Sequence, residues 1–234
     1  MSVLIPAEQR IICTSSTRPG SPFEGQQIYE TDTKRSWTYN GSQWIPEGHH
    51  VYTNEAARDA AITSPTEGMM VYLTAPTVPA ATGAITAVPT GVQTIYNGSV
   101  WVCVTPVGAY SNTTGTATNQ TSYVTTLTGD GTAVSVTLVT GTSALIQMNG
   151  VGFHNNTGNI TYLSFSVSGA TTTAAADGNG VALNQGVTTY YQTFARAYVF
   201  TGLTAGTNTF TLSYKGQPGT WGWVGRNLTV QGIA

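Results

Sequence analysis

Ten carboxylates, three histidines and two cysteines supply all the acid–base, metal-ligating and thiol chemistry of this 234-residue chain. Eight carboxylates (Glu8, Glu24, Glu30, Asp32, Glu47, Glu55, Asp59 and Glu67) precede residue 111, mostly at turn or cap positions. Only Asp130 and Asp177 lie in the second half, each beside glycine, where turn chemistry accounts for them. A glycosidase would need such a pair held roughly 5 to 9.5 Å apart. His49 and His50 are adjacent, so on a strand they face opposite ways and do not chelate together, although three copies could meet on a threefold axis. With His154 they are read as surface or core histidines. The chain has no Gly-x-Ser-x-Gly elbow, no phosphate-cradling glycine loop and no cysteine–histidine cluster. Cys13 follows Ile11-Ile12 and Cys103 sits in Trp101-Val102-Cys103-Val104; both are expected as buried free thiols. The chemistry points to a non-enzyme with no metal and no cofactor.

Aromatic residues offer binding instead. Trp221-Gly222-Trp223 and Tyr190-Tyr191 could form flat platforms for sugar rings, with core packing as the competing account. Tyr190, Tyr191, Phe194, Tyr198 and Phe200 crowd one segment. Along Phe194-Ala195-Arg196-Ala197-Tyr198 one face is aromatic plus arginine and the other is alanine. Tyrosine and arginine are enriched at interface centres, so Tyr190, Tyr191, Arg196 and Tyr198 are candidates for contact between copies.

The elements that must carry these residues begin with an internal repeat. Pro22-Phe23-Glu24-Gly25-Gln26-Gln27-Ile28-Tyr29 followed by Tyr39-Asn40-Gly41-Ser42-Gln43-Trp44 returns as Pro65-Thr66-Glu67-Gly68-Met69-Met70-Val71-Tyr72 followed by Tyr96-Asn97-Gly98-Ser99-Val100-Trp101. The second copy carries an insert within Thr74 to Gly91, expected as a surface loop. Gly25 and Gly68 suit positive-φ turns. Asn40-Gly41 and Asn97-Gly98 predict type I′ hairpins, with Tyr39 facing Trp44 and Tyr96 facing Trp101. Asn54 to Ala61 predicts one short helix with Asn54 as N-cap.

Beyond a polar, uncharged stretch at 111–122, period-2 alternation recurs at Val134/Val136/Leu138, Leu163/Phe165/Val167 and Phe210/Leu212/Tyr214. Glycine- and asparagine-rich turns separate these runs, which argues for an antiparallel sandwich. The expected fold class is mainly β: two small β-hairpin repeats with one short helix, then an antiparallel jelly-roll sandwich. The expected domains are 1–47, 48–110, a linker at 111–122, and a head at 123–234.

Only 8% of residues are charged, against roughly 25% in an average domain. Net charge is −2 and no basic cluster exists beyond Lys34-Arg35, which speaks against nucleic-acid binding. No run reaches the length of a membrane span, and the N-terminus lacks the pattern of a signal peptide.

The pattern from Arg18-Pro19-Gly20 through Tyr29-Glu30-Thr31-Asp32, then Tyr39 to Trp44, resembles a module of bacteriophage fibre, minor tail and head-decoration proteins. The second copy, with Ala57-Arg58-Asp59-Ala60-Ala61 ahead of it, is similar to the same module. The closing strands, Phe200 to Leu212 and Arg226 to Val230, resemble the end of a TNF-like jelly roll. The resemblance implies a structural subunit of a phage particle, assembled in the host cytoplasm and residing in the virion as a homotrimer. Its partners would be copies of itself and other head or tail proteins. The alternative is a tail-tip adhesin whose head binds a host-surface glycan.

Overall fold

Glycine and proline cut the chain into short segments whose apolar residues alternate, and such segments become strands with one buried face. The computed structural model describes residues 10–47, 50–184, 186 and 191–234, so His49 and Tyr190 lie outside the described residues. The chain divides into two compact units, 1–51 and 52–234.

In the first unit, β1 (Ile11–Cys13) runs parallel to β2 (Gln27–Glu30). β3 (Arg35–Tyr39) and β4 (Trp44–Pro46) continue as an antiparallel meander. Ile28 and Trp37 are buried. Arg18 lies 4.2 Å over the Trp37 ring and pairs with the fully buried Glu30. β5 (His50–Tyr52) spans the boundary between the units.

The second unit opens with α1 (Glu55–Ala61), capped by Asn54 Oδ1, which accepts from Ala57 N at 3.0 Å. Then follow β6 (Met70–Leu73), β7 (Ala80–Thr82), β8 (Ile85–Ala87), β9 (Val92–Tyr96) and β10 (Trp101–Cys103). β6, β9 and β10 form the sheet of the second repeat.

The two repeats match bond for bond. Gly25 N donates to Tyr39 O at 2.7 Å and Gly68 N to Tyr96 O at 2.8 Å. Tyr39–Trp44 and Tyr96–Trp101 each pack at 5.3 Å between ring centroids. Tyr29 is half-buried and Tyr72 is 40% exposed. The hairpin turn differs from the expected type I′. The reversal centres on Gly41-Ser42 and Gly98-Ser99, and only the glycines take positive φ, 91° and 87°. Asn40 and Asn97 act through their side chains: Asn40 Oδ1 accepts from Ser42 N and Gln43 N, and Asn97 Oδ1 from Ser99 N and Val100 N. A side-chain oxygen that replaces the backbone acceptor frees asparagine from the left-handed region.

The remaining strands are β11 (Val107–Ser111), β12 (Gly115–Thr118), β13 (Ser135–Thr140), β14 (Ser143–His154), β15 (Ile160–Gly169), β16 (Val181–Asn184), β17 (Gln192–Thr201), β18 (Gly206–Gly216) and β19 (Thr220–Ile233). One sheet has the order β17-β14-β19-β11-β8, with β12 also paired to β19; the other has the order β16-β15-β18-β13-β7. Without β7, β8 and β12, the arrangement β11-β19-β14-β17 over β13-β18-β15-β16 is an eight-stranded jelly roll. The core between the sheets includes Val136, Leu138, Ile146, Phe165, Phe210, Leu212 and Leu228, each 0–1% exposed.

Two further expectations are corrected. The stretch 111–122 is not a linker: Ser111 ends β11 fully buried, and β12 pairs with β19 from Gly115↔Trp223 to Thr118↔Thr220. Threonine is β-branched and suits a strand, so polarity without charge was a poor sign of a tether here. The insert at 74–91 is not a free loop either. Its β7 extends one sheet beside β13 and its β8 extends the other beside β11. The sandwich therefore begins before residue 123 and shares one unit with the second repeat.

Candidate functional site

The structure separates the aromatic residues that the sequence grouped. Trp221 and Trp223 are 0% exposed. Glycines make room for them: a Cβ at Gly152 would lie 2.9 Å from the Trp223 ring, and one at Gly216 would lie 2.5 Å from the Trp221 ring. Each tryptophan buries on the order of 200 Å², worth roughly 5 kcal/mol of burial before entropy. They are core residues, and a sugar platform built on them is ruled out. Tyr191 is 52% exposed and packs on Phe153 at 5.0 Å.

β17 has the two faces expected of it, but the aromatic one points inward. Phe194, Arg196, Tyr198 and Phe200 are half-buried, while Thr193, Ala195, Ala197, Val199 and Thr201 are exposed. Arg196 donates to Gly178 O and Gly180 O, both at 2.7 Å, and its guanidinium lies 4.3 Å over the Tyr198 ring. Tyr198 donates to Asn179 O at 3.1 Å. Arg196 and Tyr198 thus pin the 178–180 turn.

What the sheet presents is its other face. Register places residues in ranks across β17, β14, β19, β11 and β8. One rank is Ala195, Asn149, Asn227, Tyr110 and Ile85; the next is Ala197, Gln147, Thr229, Gly108 and Ala87. A third begins Val199, Leu145, Gln231. A shallow depression of about 360 Å³ is lined by Gln147, Asn149, Asn227 and Thr229, by the alanines of β17, and also by Arg196. Arg196 apart, whose guanidinium is bonded to the 178–180 turn, the residues named on this face are uncharged. The face is amide, hydroxyl and small apolar groups, bounded by the exposed Val199 and Ile85.

Ionic groups lie elsewhere, and sequence reasoning missed two clusters. Arg226, fully buried, pairs with Asp130, and both bond to Ser111. Burial pulls the Arg226 pKa down to about 10. The available signal was phase: Arg226 alternates in step with the buried Leu228 and Val230. On the outside of the second sheet, Lys215 Nζ lies 2.6 Å from Asp177 and over the rings of Tyr162 and Tyr123 at 4.7 and 5.0 Å. The Lys215 bond, reinforced by the Tyr123 hydroxyl, holds the Asp177 carboxyl below its ordinary value. Asp130 and Asp177 therefore serve different cation partners and do not pair with each other.

His154 is fully buried; its Nδ1 accepts from Asn156 N at 3.0 Å, so its Nε2 donates to Gln217 O at 3.1 Å. His50 is also buried. Both cysteines are free; Cys103 is buried and Cys13 only half so. Burial pushes the Cys103 thiol up to about 11. Among the described residues no three His, Cys, Asp or Glu side chains gather as metal ligands, and no helix is long and apolar enough to cross a membrane.

No protein-family model matches the chain, and no curated protein sequence matches it. Among solved structures it is similar to a chain of infectious bursal disease virus Gt strain, at 13% identity and TM-score 0.39, covering 62% of this chain and 44% of that one. It is similar to VP2 of the infectious bursal disease virus subviral particle, at 16% identity and TM-score 0.33, covering 62% and 43%. It is also similar to the carbohydrate-binding module CBM6cm-2 of Cellvibrio mixtus lichenase 5A, solved with cellotriose, at 14% identity and TM-score 0.24, covering 53% and 99%. The chain spans less than half the length of the viral chains. Likeness this distant carries no information about function.

Proposed function

We propose that the protein is a non-enzymatic structural subunit of a phage particle, a fibre or decoration protein that works as a homotrimer attached to head or tail. The observation that carries the reading is the uncharged outer face running from β17 to β8. Interface centres are depleted of charge, whereas a face held permanently in water ordinarily carries lysine and glutamate. β17 is also an edge strand of ten residues with an inward-pointing arginine. That device discourages edge-to-edge pairing and favours association through the face. The repeat modules, similar to those of phage virion proteins, would supply attachment.

Ala197→Glu places a charge at the middle of this face without touching the core. The protein is expected to elute as a folded monomer on light-scattering chromatography while wild type elutes as a trimer. An unchanged trimer would remove the face from the interface. The adhesin alternative is favoured by the exposed amides Gln147 and Asn149 beside the half-buried Asn227, which suit neutral hydroxyl-rich ligands. Loss of host-cell binding in Asn149→Ala, with the trimer intact, would support it.

A further inference from the structure

A cavity within the 52–234 unit, where the second repeat meets the sandwich, is not used by the structural role. We propose that it binds a small organic carboxylate with an apolar body. It holds about 290 Å³, and Leu73, Val78, Val100, Trp101 and Val139 give it apolar walls. Arg58 of α1 also lines it and is 6% exposed. Its guanidinium lies 4.8 Å over the Trp101 ring, which fixes its plane. Its Nε donates to Asp59 Oδ1 at 2.8 Å. The two terminal amino groups have no hydrogen-bond or ion-pair partner among the described residues.

The planar guanidinium fork matches a carboxylate in bidentate geometry. The other ionisable lining groups are committed. Glu55 accepts from Thr77 N, the Thr77 hydroxyl and Val78 N at 2.9 to 3.2 Å. The Cys103 thiol donates to Thr105 O at 3.6 Å. Arg58, already paired through Nε with Asp59, offers its two terminal nitrogens beside apolar walls, and the nearby Glu55 and Asp59 carboxylates favour a monoanion over a dianion. The plainer role of Arg58, clamping α1 to the hairpin, would leave the cavity indifferent to ligand charge.

Benzoate and its neutral isostere benzamide are the probes, titrated calorimetrically into the full-length protein. Saturable benzoate binding is expected, with benzamide about tenfold weaker or more, the factor set by a charge-assisted hydrogen bond. Arg58→Gln should bring benzoate down to the benzamide level. Val139→Phe fills the cavity while leaving Arg58 in place, and should abolish binding of both with the melting transition retained. Absence of saturable benzoate binding, equal binding of the two probes, or wild-type affinity in Val139→Phe would each overturn the assignment.

Discussion

Only 8% of residues are charged, and among the described residues Glu30, Arg58, Asp130 and Arg226 are buried. Asp130 and Arg226 bridge the turn after Leu127 to β19 inside the sandwich. Removing one partner of a buried pair leaves an uncompensated charge, so Asp130→Asn is expected to cost about 3–5 kcal/mol of unfolding free energy. Asp130→Leu with Arg226→Met should recover most of that loss, measured by denaturant unfolding. In the first unit, burial alone would raise the Glu30 pKa, but its bonds from Arg18 and Thr33 outweigh burial and hold it low. A carboxyl depressed in the folded state adds stability above its unfolded pKa, about 4.3, and loses it as pH falls through the folded value. Melting of the first unit should therefore weaken in acid below that window, and Glu30→Gln should flatten the dependence. An identical acid limb in the variant would mean that Glu30 does not set it.

At the scale of elements, much of the architecture is legible in sequence because local rules govern it. The Tyr/Trp hairpin pairs, the Asn54 cap, and the strands around Val136, Phe165 and Phe210 all follow from spacing. What escapes is long-range. Nothing local says that Ala80–Thr82 and Ile85–Ala87 leave the repeat to edge two different sheets, or that Gly115–Thr118 pairs with residues a hundred positions later. The Trp221-Gly222-Trp223 motif misleads for the same reason. Its burial depends on glycines in β14 and β18 that are remote in sequence, and Trp223→Ala should cost about 3–5 kcal/mol as a core deletion. The parity of β17 is visible from the sequence, but which face meets the core is not. The topology makes a direct prediction. A fragment of residues 123–234 lacks β7, β8, β11 and β12 and should fail to fold, whereas 52–234 should melt cooperatively, as followed by circular dichroism. A well-folded 123–234 fragment would contradict the shared unit.

For the molecule as a whole, the sandwich buries the Asp130–Arg226 pair, Trp221 and Trp223 and leaves a broad face of mostly neutral side chains outward. Such a surface suits the proposed association of copies, since interface centres are depleted of charge. Attachment by the repeats and projection of the jelly roll would follow from that association. The most direct test is the mass of the intact wild-type protein by native mass spectrometry at micromolar concentration. One species of three chains is expected; a stable, folded single chain under those conditions would contradict the homotrimer.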